Sequence, residues 1–480
     1  MSTPPADTHL PAIHLRPPRN WINDPNGLTH HDGYYHVFFQ YNPNGPDHTG
    51  VHWGHHRSAD LLTWEELPVA LAPTPGGDDA DGCFSGNAVS DGDRVLAFYS
   101  AYRTDRWWQP IAAAESRDGG LTWHKQPTLV IPTPPEGTSM YRDPYVWRHG
   151  DRWRMLVGAS VTGERGAALL YESADLADWR YLGPFFADGP GLTPAAEGWT
   201  GWECPQYAAF GDRGILVVSL WDAVAGPRST RVYVGGEHAD RFVPTGHQPL
   251  DHGPDLYAPA LLHAPDGRWL LWGWSWEARD REWTREAGWA GILTVPREVS
   301  LTEDGRVRQQ PAAEVLGYRG RKVVHATGWS RSDDLGVVGP AFDLTARLRS
   351  RSGSPCGVRL ETADDEHLDI VVDPVAGELV VDRDHASLDP RALKGRYRVP
   401  LGGPRAPDGS VDFRVIVDGS IVEVFLGSGE VLTLRCYPTG PAPWRLRTTG
   451  GPDHVVDVWE LTAGGQRTAV GEDELHTRAS

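Results

Sequence analysis

Positive charge is scarce in this chain of 480 residues: 45 Lys and Arg stand against 64 Asp and Glu, for a net charge of −19. Nucleic-acid binding needs a basic footprint, so that class is excluded, and a neutral ligand is the better match. Lysine is rarer still, represented by Lys125, Lys322 and Lys394 alone; this reads as compositional bias and carries no function. Cysteine is scarce too. Cys83, Cys204, Cys356 and Cys436 lie far apart and form no CxxC pair, so zinc-site spacing is absent and free thiols in a reducing compartment are the simplest account. No apolar run is long enough to span a membrane. The N-terminal stretch MSTPPADTHLPAIHLRPPRN holds prolines and charges where a secretory signal would have an apolar segment. The expectation is a cytoplasmic protein with neither a nucleic-acid nor a membrane partner.

What is abundant points to β-structure. The chain has 55 Gly and 40 Pro, the punctuation of many turns and short strands, and 21 Trp, enough to supply aromatic platforms as well as core. Its length suggests two domains. Turn dipeptides followed by apolar runs recur: DGYYHVFFQY from Asp32, GDRVLAFYSAY from Gly92, GDRWRMLVGAS from Gly150, GDRGILVVSLW from Gly211 and DGRWLLWGWSW from Asp266. The interval is roughly 60 residues, room for about four strands, the size of a propeller blade. A second element keeps its own offset: SADLLTW (58–64), SRDGGLTW (116–123), SADLADW (173–179) and a degenerate GEHADRF (236–242). A β-helix would need a much shorter period, and a sandwich would not repeat so regularly. The fold predicted is all-β, a five-bladed β-propeller followed by a C-terminal β-sandwich.

Within this register, NWINDPNG (20–27) sets Asp24 ahead of a Pro-Asn-Gly turn signal, YRDPYVW holds Asp143 and GWECPQY holds Glu203. Each acid stands 7 or 8 residues before its hairpin, close to a proline and an aromatic residue. The strand before each hairpin is expected to be innermost, so the three carboxylates occupy equivalent places on blades 1, 3 and 4 and converge on one end of the axis. Three such acids repel one another and cost desolvation energy, which a purely structural propeller has no use for. They could hold Ca²⁺ or Mg²⁺, but Arg142 already brings positive charge, and Trp21, Trp53, Trp202 and Phe84 suit a sugar better. Glycosidic cleavage needs one ionised and one protonated carboxyl. Glu203, between Trp202 and Cys204, is expected to find an apolar setting that keeps it protonated; Asp24, near Asn23, Asn26 and turn amides, is expected to stay ionised.

The ordered segments WINDPNG (21–27), FFQYNP (38–43), HWGH (52–55), DGCFSG (81–86), YRDP (141–144) and WECP (202–205) resemble the motif set of glycoside hydrolase family 32, the β-fructosidases. The segment 412–438 resembles that family's β-sandwich appendage, and the likeness runs over about residues 10–462. The resemblance implies Asp24 as nucleophile, Glu203 as general acid and then base, and Asp143 as transition-state stabiliser. It also implies a fructose site lined by Trp21, Asn23, Gln40, Trp53, Phe84, Ser85 and Arg142. It further implies retention of configuration, a carboxyl separation near ~5 Å, and no cofactor or metal. Asn87 and Leu256 depart from the family pattern and are expected to reshape the pocket rim.

The repeat stops after PREVSL (296–301). The domains expected are a propeller over 9–307, a helical or extended linker over 308–321, a sandwich over 322–463 built from alternating strands such as LDIVVD and FRVIVDG, and a polar tail over 464–480. The sandwich is expected to buttress the propeller. His52, His55 and His56 read as pocket-rim or hydrogen-bonding side chains. The function expected is a retaining β-fructofuranosidase acting on sucrose and short fructo-oligosaccharides. An exo-levanase or inulinase, a sucrose-6-phosphate hydrolase and a catalytically silent sugar-binding propeller are the alternatives. A phosphate site would need a basic cluster that the sequence does not reveal.

Overall fold

A computed structural model describes residues 7–162, 165–189, 200–329, 332–362, 366–403, 406–440 and 443–463; the expected polar tail, 464–480, lies outside them. The innermost strands of five antiparallel sheets are Asn20–His31, Gly82–Asp91, Thr138–His149, Gly201–Phe210 and Tyr257–His263. Neighbouring inner strands pack against one another in a closed circle, blade 5 against blade 1 included. Each inner strand ends in one of the predicted hairpins. At the first, Asp32 and Gly33 both take positive φ, 48° and 80°, as a tight two-residue turn demands.

The second repeat element is a capped turn between the third and fourth strands of blades 1 to 3. Asp60 Oδ1 accepts from the Leu62 and Thr63 amides at 2.9 and 2.7 Å, and Asp175 Oδ1 accepts from Ala177 and Asp178, both at 3.0 Å. Asp118 does the same for Thr122 at 2.9 Å. An Asx turn of this kind satisfies amides that the strand ladder leaves open.

Blade 5 departs from the pattern. Between its second and third strands it carries a short helix, Arg281–Ala287, capped by Asp280 and ended by Gly288 in the left-handed region. The strand Trp289–Ala290 then pairs parallel to Asn20 and Trp21 of blade 1, which fastens the ring shut. The outermost strand of blade 5, Val307–Pro311, runs on from the expected propeller boundary at 307, and with a 3₁₀ turn, Ala313–Tyr318, it takes up most of the stretch 308–321 expected to be a helical or extended linker.

The C-terminal domain consists of two six-stranded antiparallel sheets whose inward-facing aliphatic residues form one core. It is bolted to the propeller by buried charge. Arg297, fully buried in the third strand of blade 5, meets Asp251 at 2.9 Å and Glu423 of the sandwich at 2.5 Å. His14 lies between Asp418 at 2.8 Å and Glu423 at 2.9 Å, all of them buried. Among the described residues no helix is long and apolar enough to cross a membrane.

Candidate active site

Every inner strand carries a β-bulge at the same height. The pairing slips between Ile22 and Pro25, between Cys83 and Gly86, around Asp143, between Glu203 and Gln206, and between Tyr257 and Ala260. Bulges re-aim side chains and end regular pairing, and here five of them surround one axis. The residues always left inside the bulge are Asp24, Ser85, Asp143, Cys204 and Ala258. Three of these, Asp143, Cys204 and Ala258, share positive φ values of 64°, 45° and 46°.

This corrects the sequence register. Glu203 is not equivalent to Asp24 and Asp143; Cys204 is. The prolines of DP, DP, CP and AP mark the true alignment, whereas counting to the hairpin is off by a residue. Asn23, Phe84, Arg142, Glu203 and Tyr257 share the preceding position. In a strand a one-residue offset changes the direction of the side chain. The site therefore has a deep tier, where Asp24 and Asp143 lie buried, and an outer tier, where Glu203 keeps 16% side-chain exposure.

In the deep tier a hydrogen-bond circuit fixes Asp24. Ser85 Oγ donates to Asp24 Oδ2 at 2.5 Å, and Asn23 Nδ2 donates to Asp24 Oδ1 at 3.0 Å and to Gln40 Oε1 at 2.8 Å. Gln40 Nε2 in turn donates to Ser85 Oγ. Trp21 Nε1 donates to Asn23 Oδ1 at 2.7 Å, which leaves the asparagine amide only one orientation. The Cys204 thiol lies 3.6 Å from both Asp24 Oδ2 and Asp143 Oδ2, and the Cys204 amide donates to Asp143 at 3.0 Å. Burial, with the Glu203 charge adding to it, pushes Asp24 up to about 6 and Asp143 up to about 7. Burial holds the Cys204 thiol protonated, well above its ordinary range.

In the outer tier the Arg142 guanidinium stands 3.0 Å from Glu203 Oε1 and covers the Trp221 ring at 5.0 Å. The Tyr257 hydroxyl lies 2.7 Å from Glu203 Oε2 and 3.0 Å from the Leu220 carbonyl oxygen. The apolar setting expected for Glu203 is therefore absent. Trp202 is fully buried behind it against Phe186 and Tyr233, and Glu203 faces a guanidinium and a phenol instead.

These groups open onto a cavity of about 850 Å³ lined by Trp21, Asn23, Asp24, Gln40, Phe84, Ser85, Arg142, Asp143 and Glu203. Trp53 is the exception among the expected site residues and is corrected here. It is fully buried beneath the pocket, and its indole N–H donates to the Phe84 carbonyl at 3.0 Å. It packs under Gly27, where an added Cβ would stand 2.6 Å from Phe38 and 3.0 Å from Trp53. Gly27, at φ 56°, is thus required twice over in the WINDPNG motif. His55 and His56 are likewise buried away from the cavity; His55 stacks on Phe38 at 3.9 Å and bonds His36 at 2.9 Å.

The two departures from the family pattern also lie elsewhere than the rim. Asn87 bonds both the N–H and the C=O of Val146, at 2.9 and 3.1 Å, and Leu256 is buried against Gly273. The sequence reading missed His48, Tyr102, Gln109, Trp221, Tyr257 and Trp274, which all line the cavity. Tyr257 was findable, because YAP aligns with RDP and with ECP. His48 and Gln109 come from loops between strands, which carry no periodic signal.

Residues 14–311 match the family model described as "Glycosyl hydrolases family 32 N-terminal domain", and residues 314–460 match "Glycosyl hydrolases family 32 C terminal". A sucrose-6-phosphate hydrolase of Escherichia coli is 34% identical, over 90% of this chain and 90% of that protein. A raffinose invertase of Escherichia coli is 33% identical, over 95% of this chain and 96% of that protein. The solved structure of a Bombyx mori GH32 beta-fructofuranosidase matches with a TM-score of 0.80 at 26% identity, over 96% of this chain and 95% of that one.

Proposed function

This chain belongs to glycoside hydrolase family 32, and from that premise we propose that it is a retaining β-fructofuranosidase releasing terminal β-D-fructofuranosyl units from sucrose and short fructo-oligosaccharides. Asp24 attacks the anomeric carbon, Glu203 protonates the leaving oxygen and then activates water, and Asp143 steadies the sugar as positive charge develops. Trp21, Asn23, Gln40, Phe84, Ser85 and Arg142 hold the fructosyl unit, and no cofactor takes part. A cytoplasmic setting belongs to the same reading; the four cysteines, all free and buried, suit a reducing compartment.

The observation that carries this division of labour is the contrast between the two tiers. Asp24 is held by neutral donors, Ser85 and Asn23, which support an ionised nucleophile without neutralising it. Glu203 stands at the outer tier, on the side where a leaving group departs. The Tyr257 hydroxyl has one proton and two oxygen neighbours, Glu203 and Leu220. Its proton can go to either oxygen, so Tyr257 orients the Glu203 carboxyl group whether or not that group carries a proton of its own. Burial, with the neighbouring acids adding to it, raises Asp143 to about 7, so the site retains a proton near neutral pH.

Purified protein should release fructose from sucrose, and Asp24→Asn, nearly isosteric, should lose roughly 10⁴-fold or more in kcat with an unchanged unfolding midpoint. Wild-type rates in Asp24→Asn would remove the nucleophile from this account.

A further inference from the structure

We infer that the outer part of this cavity takes an uncharged leaving sugar and discriminates against one that carries a phosphate. The inference rests on the fructosidase reading and names the leaving-group chemistry at that same site. Because Glu203 is more exposed than the buried Asp24 and Asp143, the group it protonates leaves away from that pair, among the other lining residues, which include Asp81, Thr104 and Gln109 of blade 2 and Trp221 and Pro227 of blade 4.

The ionisable side chains lining the cavity are mostly acidic. The described residues lining the cavity include four carboxylates, Asp24, Asp81, Asp143 and Glu203, against one permanent cation, Arg142. Arg142 stands 3.0 Å from Glu203 and over the Trp221 face. His48, also lining the cavity, is kept neutral at ordinary pH because burial lowers it to about 4. The Asp81 carboxylate is fixed at the mouth, where Oδ2 accepts from the Thr104 N–H at 2.8 Å and the Thr104 hydroxyl at 3.0 Å.

Most cations close in sequence to the lining residues sit against acids of their own, although Arg228, beside Pro227, reaches Asp222 only at 3.8 Å. Arg103 holds Asp105 at 2.6 Å, Arg106 holds Asp78 at 3.0 Å, and Lys125 pairs with Asp79. Arg281 and Arg285 both grip Asp47, at 2.8 and 3.1 Å. A phosphate on the leaving sugar would therefore meet Asp81 in a cavity whose described lining holds Arg142 as its one Lys or Arg side chain. A dianion placed near fixed carboxylates is repelled, and phosphate recognition uses donors of opposite charge in a fork. A hexose hydroxyl can donate to Asp81 and to the Gln109 amide without that penalty.

The test compares fructose release from sucrose and from sucrose 6-phosphate, phosphorylated on the leaving glucosyl unit, under the same buffer and ionic strength. The wild type should show kcat/KM roughly tenfold or more in favour of sucrose. In Asp81→Asn, whose side-chain oxygen can still accept from Thr104, that ratio should narrow several-fold, and high salt should narrow it as well. Equal turnover, or a preference for the phosphate ester, would overturn the inference while leaving the fructosidase reading intact. A ratio unmoved by Asp81→Asn would overturn the part assigned to Asp81. Release from neither substrate would overturn the fructosidase reading, and the inference with it.

Discussion

At the scale of single residues, the site sets a carboxylate among uncharged partners and lets burial tune it. Burial raises Asp24 most, the Ser85 hydrogen bond lowers it, and Glu203 raises it again, for a balance at about 6. A protonated Asp24 cannot attack, so activity should fall as pH drops below about 6. In Ser85→Ala the lowering contribution is gone, and the acidic limb of the kcat/KM profile should move to higher pH by about one unit, the size of a charge-assisted hydrogen bond. An acidic limb that stays in place in Ser85→Ala would show that Asp24 does not govern it. The carboxylates and Arg142 could be read from residue type near a proline, and Asn23, Gln40 and Ser85 from the resemblance of their motifs to the family's. Trp53 could not: an aromatic next to a motif has the same letter whether it lines the pocket or supports its floor, and only its burial and its bond to Phe84 decide.

At the scale of the element, the bulged inner strand is the repeating device, and the residue after its proline position ties one blade to the next. Asn26 accepts from the Gly86 amide at 3.3 Å, Asn87 bridges to Val146, the Tyr145 hydroxyl donates to the Tyr207 carbonyl at 2.9 Å, and Gln206 accepts from the Leu261 amide at 3.0 Å. Such side chains satisfy backbone groups that splayed inner strands cannot pair with each other. Asn87→Ala should therefore cost about 2–3 kcal/mol of stability, since it strands a buried N–H and C=O, with KM for sucrose little changed. A raised KM at unchanged stability would return Asn87 to the pocket rim. The blades themselves were legible because Asp-Gly and Gly-Asp turns force hairpins at regular intervals. The bulges were not, because a bulge is one residue of slippage, which hairpin counting absorbs; the prolines held that information.

At the scale of the whole molecule, the sandwich completes the propeller's charges. Burial alone would lower His14, but its hydrogen bonds to Asp418 and Glu423 prevail and raise it to about 9 from 6.5. The stabilisation from a protonated His14 is thus fully present below about 6.5 and is lost as pH rises through about 9, on the order of 3 kcal/mol in all. The unfolding midpoint should decline between pH 7 and 9 in the wild type and decline less steeply in His14→Gln; parallel slopes would mean that His14 is not the titrating bolt. The two-domain plan followed from where the repeat stops and alternating strands begin. The bolt did not, since His14 and Asp418 stand 404 positions apart and nothing in either segment points to the other. The central claim, that these packed blades place Asp24 to form a covalent fructosyl-enzyme, is tested most directly by acid-quenching the wild type during turnover of sucrose and mapping its peptides by mass. The account predicts one dehydrated hexosyl unit on the peptide bearing Asp24 and none in Asp24→Asn. A label on the peptide bearing Asp143 or Glu203, or steady turnover with no labelled peptide at all, would contradict it.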